Sequence, residues 1–223
     1  MIKKSYMKII NGLIIVILLI TSYNLFQEKR MYEKQLSNVL NSDMIRLIDA
    51  IILNDKVYEE IIVSGNITKE IAQVLEKTNE RIVEITQKYM NLAHDFGRVS
   101  QMNKKTAENA NYISRFFMNM RGPTEVLSND QAEEIVFVLD PISRTKIEDL
   151  LKLNATWIES IVNNIHSAQM INEEVSTQDF RKYYGENSIT DDFWVNFITD
   201  LEQNTETFLA NVNYAHMGEL FGN

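Results

Sequence analysis

The sequence predicts an all-α protein in which an N-terminal transmembrane helix leads into an elongated antiparallel bundle with coiled-coil-like packing. Three observations support this prediction. Residues 9–26 carry no charged side chain and are mostly apolar. The 223 residues include only seven glycines and two prolines, so few positions interrupt a helix. Beyond residue 30, apolar residues recur at alternating steps of three and four, which is the spacing of one helix face.

The N-terminal segment has the length and polarity of a membrane anchor. Its 18 residues rise about 27 Å as a helix, against about 30 Å for the hydrocarbon core of a bilayer. Lys3, Lys4 and Lys8 precede it with no acidic neighbour, which favours a cytoplasmic N-terminus. The uninterrupted apolar centre consists of Leu13, Ile14, Ile15, Val16, Ile17, Leu18, Leu19 and Ile20.

These features predict a single-pass protein of the cell membrane, divided into four parts. Residues 1–8 form a cytoplasmic basic stub, and residues 9–26 form the signal anchor. Residues 27–217 form an extracytoplasmic helical bundle, and residues 218–223 form a C-terminal tail. The membrane is therefore the first expected partner.

Other interpretations of the N-terminal segment stay open. A cleaved secretory signal shares the basic start, but such signals usually end in small residues, and here bulky Tyr23 directly follows the best cleavage position, Ser22. The segment also resembles a pilin leader in outline, since Gly12 follows lysines, although Ile17 stands where pilins usually carry glutamate. A buried helix of a soluble protein is the third alternative. The absence of cysteine excludes a lipoprotein.

Stripes of apolar residues at this spacing, which we call seams, predict about four long helices after the anchor. The clearest seam runs from Ile71 to Met120, and we expect a kink near Gly97 and the polar residues that follow it. Less regular or shorter seams run from Leu36 to Ile61, from Ile147 to Ala168 and from Ile198 to Ala215. Stripes of this kind are best buried against one another, as in an antiparallel bundle. The apolar run Ile135–Leu139 predicts a short crossover helix.

Capping residues predict where these helices begin and end. Gly65 ends the first long helix, and Asn66 caps the second. Asp140 followed by Pro141 is a favourable helix start. Ser128 with Gln131, and Ser188 with Asp191, have the spacing of capping boxes. Gly218 is expected to end the last helix.

Composition narrows the range of ligands. Residues 31–223 hold 17 basic and 30 acidic residues, a net charge of −13. A surface this acidic repels phosphates, so we expect no nucleic acid ligand. The absence of cysteine excludes disulfides, thiolate zinc sites and thiol catalysis. The abundance of Ile, Asn and Lys is typical of a low-GC bacterium or its mobile elements.

The sequence carries no recognisable catalytic or metal-binding pattern. Its three histidines, at 94, 166 and 216, have no partner at helical ligand spacing. We therefore expect no enzyme activity, no metal and no cofactor. Polar residues within the seams remain to be explained: Thr78, Asn103, Thr106, Asn154 and Thr205. They either fix the register of the helices or line a small ligand cavity.

Two apolar clusters have two interpretations, as core or as a partner-binding patch. One comprises Phe116, Phe117 and Met120, and the other comprises Tyr183, Tyr184 and Trp194. If they are exposed, they predict a surface for a protein partner.

The sequence favours a non-enzymatic interaction protein. We expect an accessory or regulatory component of a bacterial envelope assembly, which binds a protein partner or a second copy. The alternative is a ligand-sensing module, because the architecture resembles the periplasmic four-helix domains of chemoreceptors and sensor kinases. That interpretation requires a small-molecule ligand and a separate transducing partner.

Overall fold

The computed structural model describes residues 2–122, 134–166, 170–171, 174–175 and 180–221, and it confirms the all-α class. Its long helices are α1 (Ile2–Ser64), α2 (Lys69–Asp95), α3 (Lys105–Arg121), α4 (Pro141–Asn164) and α6 (Phe193–Val212). The short elements are β1 (Asn66–Thr68), β2 (Ile135–Val138), β3 (Met170–Ile171), β4 (Glu174–Val175), α5 (Phe180–Tyr183), a 3-10 turn (Ser188–Thr190) and α7 (Gly218–Phe221).

Helix α1 is continuous over 63 residues, but only its second half belongs to the bundle. Its side chains are mostly exposed from Asn11 to Leu36, and the first buried one is Ser37. The helix ends as predicted at Gly65, whose φ of 71° is accessible to glycine at little cost. We call the end of the bundle at Ser37 proximal, because it is nearer the exposed N-terminal part of α1, and the end at Gly65 distal.

The second predicted helix is two helices in an antiparallel hairpin. We expected a kink near Gly97, and the structure has a full reversal between Asp95 and Lys105. Gly97 has a φ of 67°, and its N–H donates to the carbonyl of His94 at 2.8 Å, which closes the end of α2. The polar residues after Gly97 therefore form a turn instead of continuing the seam.

The predicted crossover helix at Ile135–Leu139 is wrong, because residues 135–138 form strand β2. This strand pairs antiparallel with β1, with Ile67 opposite Phe137. β-branched and aromatic residues favour an extended strand when a partner strand is available. Because Asn66 lies in β1, it does not cap α2. That role belongs to Thr68, whose hydroxyl accepts from the N–H of Ile71 at 3.2 Å.

Helix α4 begins as predicted and runs antiparallel to α1. The Asp140 carboxylate accepts from the N–H of Ser143 at 2.7 Å, and this bond lowers the pKa of Asp140. Arg144 donates to the carbonyl of Ile62 at 2.8 Å near the distal end. Further along, the side chain of Asn154 donates to the carbonyl of Ile51 at 3.0 Å.

Helix α6 runs antiparallel to α4 and completes a bundle of α1, α2, α4 and α6, with α3 packed against α2 and α6. Its boundaries differ from the prediction. The predicted capping box at Ser188 and Asp191 is instead part of the 3-10 turn and the bend after it, and α6 ends at Asn213 with a φ of 59°. Gly218 begins α7 rather than ending the last helix. The capping box predicted at Ser128 and Gln131 lies outside the described residues.

A single apolar core lies within one chain and runs the length of the bundle. Its largest fully buried side chains include Trp157, Trp194, Tyr58, Tyr89 and Phe117. Packing of this kind supplies the stability of a protein without disulfides. The seams of the sequence are therefore filled by helices of the same chain.

Candidate functional site

The free part of α1 is the largest exposed apolar surface of the molecule as described. Side chains from Leu13 to Ile20 are between 49 % and 65 % exposed. Among the described residues, α1 is the one helix that is long and apolar enough to cross a membrane, with a mean hydropathy of 1.3 in its best window. The assignment of α1 as a candidate membrane span rests on its length and composition. Lys3, Lys4 and Lys8 lie on the same helix, before the apolar segment.

Three of the six aromatic and methionine residues proposed as a partner patch are buried. Phe117 and Trp194 have no exposed surface, and Tyr184 is nearly covered. The indole of Trp194 lies edge-on to Tyr89 at 5.8 Å and donates to the carbonyl of Ile189 at 3.3 Å. For these three residues the interpretation as core is correct, because each fills space between helices.

The other three residues of the proposed patch do not form one surface. Phe116 stacks on Phe221 of α7 at 3.8 Å, and Met120 packs against the same core. Tyr183 is half exposed and lies edge-on to His166 at 5.6 Å. Phe116 and Met120 are partly buried, so Tyr183 is the most exposed of the three, at a site separate from Phe116.

Two of the polar seam residues meet at one point and join three helices. The hydroxyl of Thr205 on α6 accepts from the indole N–H of Trp157 on α4 at 2.8 Å. It lies 3.1 Å from the hydroxyl of Thr106 on α3 and donates to the carbonyl of Leu201 at 2.7 Å. The polar residues at this position satisfy one another, which favours a role in fixing helix register.

The remaining seam residues also make specific bonds. The hydroxyl of Thr78 bonds to the side-chain oxygen of Asn54, which ties α2 to α1. Asn154 ties α4 to α1 through the carbonyl of Ile51 and the carboxylate of Asp55, the latter at 3.2 Å. Asn103 lies in the turn before α3 and accepts from the N–H of Lys105 at 3.2 Å.

Helix α3 is capped by a buried carboxylate that no local sequence pattern signals. Glu202 on α6 is only 3 % exposed, and it accepts from the N–H of Thr106 at 3.1 Å. The N-cap residue of α3, Lys104, makes no side-chain capping bond, so Glu202 supplies this function from another helix. Burial raises the pKa of Glu202, and the Thr106 N–H opposes the shift in part.

Three further buried charges, Arg121, Glu76 and Asp43, are paired between helices. Arg121 at the end of α3 forms a forked ion pair with Glu76 of α2, with N–O distances of 2.7 and 3.3 Å. Asp43 of α1 accepts from Lys88 at 2.7 Å and from the Tyr89 hydroxyl at 3.1 Å. Burial, together with the charge of Asp43, raises the pKa of Tyr89, so that hydroxyl stays protonated.

A polar cleft and an apolar groove lie at the proximal half of the bundle. The cleft, of about 490 Å³, lies between the turn after α2 and helix α6 and includes Arg98, Gln101, Glu202 and Glu206. The guanidinium of Arg98 fastens that turn to the chain before α6 by donating to the carbonyl of Asp191 at 2.7 Å.

The apolar groove, of about 240 Å³, lies between α1 and α2. It is lined by Leu36, Val39, Lys88, Tyr89, Asn91, Leu92, Asp95 and Ile189. We call it the proximal groove. It lies at the point where the free part of α1 enters the bundle.

The described residues contain no group of three or more His, Cys, Asp or Glu side chains that could hold a metal ion. Comparison with known proteins returned no match, whether with a family model, a curated protein or a solved structure.

Proposed function

We propose that this chain is a single-pass membrane protein whose extracytoplasmic bundle is a non-enzymatic interaction, accessory or regulatory component of a bacterial envelope assembly. The observation that carries the proposal is the free part of α1. An exposed, uncharged apolar helix is unfavourable in water and favourable in a bilayer.

The continuity of α1 supports a fixed placement of the bundle near the membrane. No glycine or proline lies between Phe26 and Ser37, so the helix passes from the apolar segment to the bundle without a break. Ten residues at 1.5 Å each separate the two by about 15 Å. The proximal groove then faces the space just outside the bilayer, where a membrane-bound partner is within reach.

The direction of insertion follows from charge. Lys3, Lys4 and Lys8 precede the apolar segment, while the chain after residue 30 carries a net charge of −13. The positive-inside rule places the lysines in the cytoplasm and the acidic bundle outside. Inside the bundle, Glu202, Arg121 and Asn154 are engaged in bonds between helices, which supports a structural role for the interior polar groups.

Fractionation of membranes tests the anchor. Replacing both Ile15 and Leu18 with lysine places two charges in the apolar segment, each opposed by about 2.5–3.5 kcal/mol at a bilayer centre. We expect the variant to leave the membrane pellet or to be degraded. Val63→Lys is the matched control, because Val63 is an exposed apolar residue of the same helix at the distal end. Unchanged pelleting of the double variant would refute the anchor.

Affinity capture of the tagged full-length chain from gently solubilised membranes tests the interaction. One reproducible co-purifying envelope protein, together with an intact mass that includes residues 1–26, is the expected result. A mass starting near Tyr23 would show a cleaved signal and a secreted bundle instead.

A second candidate function, ligand sensing, has the polar cleft in its favour. A cleft with Arg98, Gln101 and Glu206 at its rim offers both charges and amides to a small polar ligand. Thermal shift of the soluble bundle against amino acids, organic acids and divalent cations tests it. A melting temperature that rises with ligand concentration, and less so in Glu206→Gln, would favour sensing.

A further inference from the structure

The free part of α1 carries a stripe of exposed apolar side chains that continues onto the bundle. Leu25 is 60 % exposed, Tyr32 66 %, and Leu36 and Val39 43 % each. Their spacings are seven, four and three residues, so at about 100° per residue all four lie within about 60° of one another around the helix. We call these four residues the α1 stripe.

The stripe ends in the proximal groove. Leu36 and Val39 form the α1 wall of that groove, and Leu92 of α2 faces them across it. Leu40 and Met44, which are buried in the chain's own bundle, lie about 40° and 80° around the helix from Leu36, so the stripe borders the buried face. Leu36 and Val39 remain 43 % exposed beside that face, so the stripe is an apolar surface that the chain's own described helices leave partly open.

We propose that two copies of this chain pair side by side and in parallel along the α1 stripe. The proposal deepens the proposed function and rests on the membrane anchorage it contains. A bilayer holds every copy with the same direction and at the same depth, so each stripe residue stands at the height of its equivalent in the neighbour. A symmetric pair then brings each Tyr32, Leu36 and Val39 against the same apolar surface of the other copy.

The spacing of the stripe matches that of a parallel two-stranded coil. Seven residues before Leu25, Leu18 continues the same face within the apolar segment. Lys29 lies on this face as well, between Leu25 and Tyr32. Lys29 forms an ion pair with Glu33 of its own helix, with an N–O distance of 3.4 Å, so its charge is balanced without the second copy. A second copy therefore fits the apolar positions of the stripe.

Single-cysteine variants of the full-length chain in native membranes test this pairing. The chain has no cysteine, so any disulfide-linked dimer reports the introduced residue. We expect rapid dimer formation with mild oxidant for Leu36→Cys and Val39→Cys. Asn38→Cys is the matched control, since Asn38 is exposed on the same helix but points about 160° away from Leu36 and about 100° from Val39. Across positions 28–39, dimer yield should rise and fall with a period of about 3.5 residues.

A second substitution separates pairing from collision. Adding Val39→Glu to Leu36→Cys should remove most of the dimer while the protein stays in the membrane pellet. Equal dimer yields at positions 36 and 38 would overturn the proposal, because random encounters have no preferred face. A crosslink to a species of different mass would also overturn it and assign the stripe to another protein. Protein in the soluble fraction would instead overturn the anchorage and, with it, the pairing.

Discussion

At the scale of single residues, the most informative group is the buried carboxylate of Glu202. It caps α3 by accepting from the N–H of Thr106 at 3.1 Å, yet burial raises its pKa. A carboxyl with a raised pKa binds its proton more tightly in the folded state than in the unfolded chain. The free energy of unfolding therefore falls as pH rises above 4.5, the ordinary pKa of a glutamate. This cost in stability is fully present once the Glu202 carboxyl of the folded protein has ionised.

Glu202→Gln should remove that cost and keep the cap, since the amide oxygen still accepts from Thr106. We expect a higher melting temperature than that of the native chain at neutral pH, with the difference vanishing as pH falls below about 4.5. Circular dichroism melts of the soluble bundle between pH 4 and pH 8 measure it. Glu206→Gln, one turn further along the same helix and exposed, is the matched control for loss of a carboxylate from α6. A gain in melting temperature that is the same at every pH would contradict this account of Glu202.

The ion pair of Arg121 and Glu76 gives a second prediction at this scale. Both side chains are only 4 % exposed, so removing one leaves the other charge buried without its main partner. We expect Arg121→Met to lower the free energy of unfolding by about 3–5 kcal/mol, and the double variant Glu76→Leu with Arg121→Met to recover much of the loss. Urea denaturation measures both.

The control for this pair is Lys152→Met, which removes an ion pair to Asp149 in which the lysine is 63 % exposed. Its cost should lie below about 1 kcal/mol. Similar costs for Arg121→Met and Lys152→Met would show that burial of the Glu76 pair has no energetic consequence.

At the scale of elements, Thr205 holds three helices in register. Thr205→Val keeps the shape of the side chain but removes the acceptor for the Trp157 indole N–H, and it also leaves the Thr106 hydroxyl without that partner. We expect a loss of about 1–3 kcal/mol, the cost of leaving a buried polar group unsatisfied. Thr205→Ser, which retains the hydroxyl, should lose less. Equal losses in the two variants would mean that the methyl group, rather than the bond, matters.

How much of each element the sequence could predict depends on how local its cause is. Gly65 and Asp140 act on their own neighbours, and both helix boundaries were predicted correctly. The strand Ile135–Val138 was missed because its partner, Asn66–Thr68, is distant in sequence, and only that pairing favours a strand over a helix. The cap of α3 by Glu202 joins residues 96 positions apart, and no local pattern signals it.

The same distinction applies to the candidate site. The long apolar N-terminal helix could be predicted from composition alone, because an uncharged apolar segment of this length is recognisable whatever its neighbours are. The aromatic clusters were ambiguous, since an apolar side chain has the same sequence signature in a core and on a binding surface. Only packing decided that Phe117 and Trp194 are buried, and that Leu36 and Val39 border an open groove.

At the scale of the whole molecule, α1 joins an exposed apolar segment to a buried helix of the bundle. Residues 11–36 contribute no buried side chain to the core, whereas the part of α1 from Ser37 onward contributes a complete helix face. The stability of the bundle should therefore depend on where α1 is cut and not on whether residues 1–26 are present. If removing residues 1–26 lowered the stability of the bundle, the free part of α1 would stabilise the fold through contacts beyond a single chain.

Two truncated chains make this testable. A chain starting at residue 27 keeps the whole core, so we expect a soluble protein with a cooperative thermal transition in circular dichroism. A chain starting at residue 45 loses Leu40 and Met44, each worth about 2–5 kcal/mol when buried. It also loses Ser37 and Asn41, which bond to the N–H of Ile189 at 3.0 Å and the carbonyl of Tyr184 at 2.9 Å. These losses together are comparable with the usual free energy of unfolding of a domain, about 5–15 kcal/mol. We therefore expect this shorter chain to show no cooperative transition. Equal transitions in both chains would place the start of the folded bundle beyond Met44.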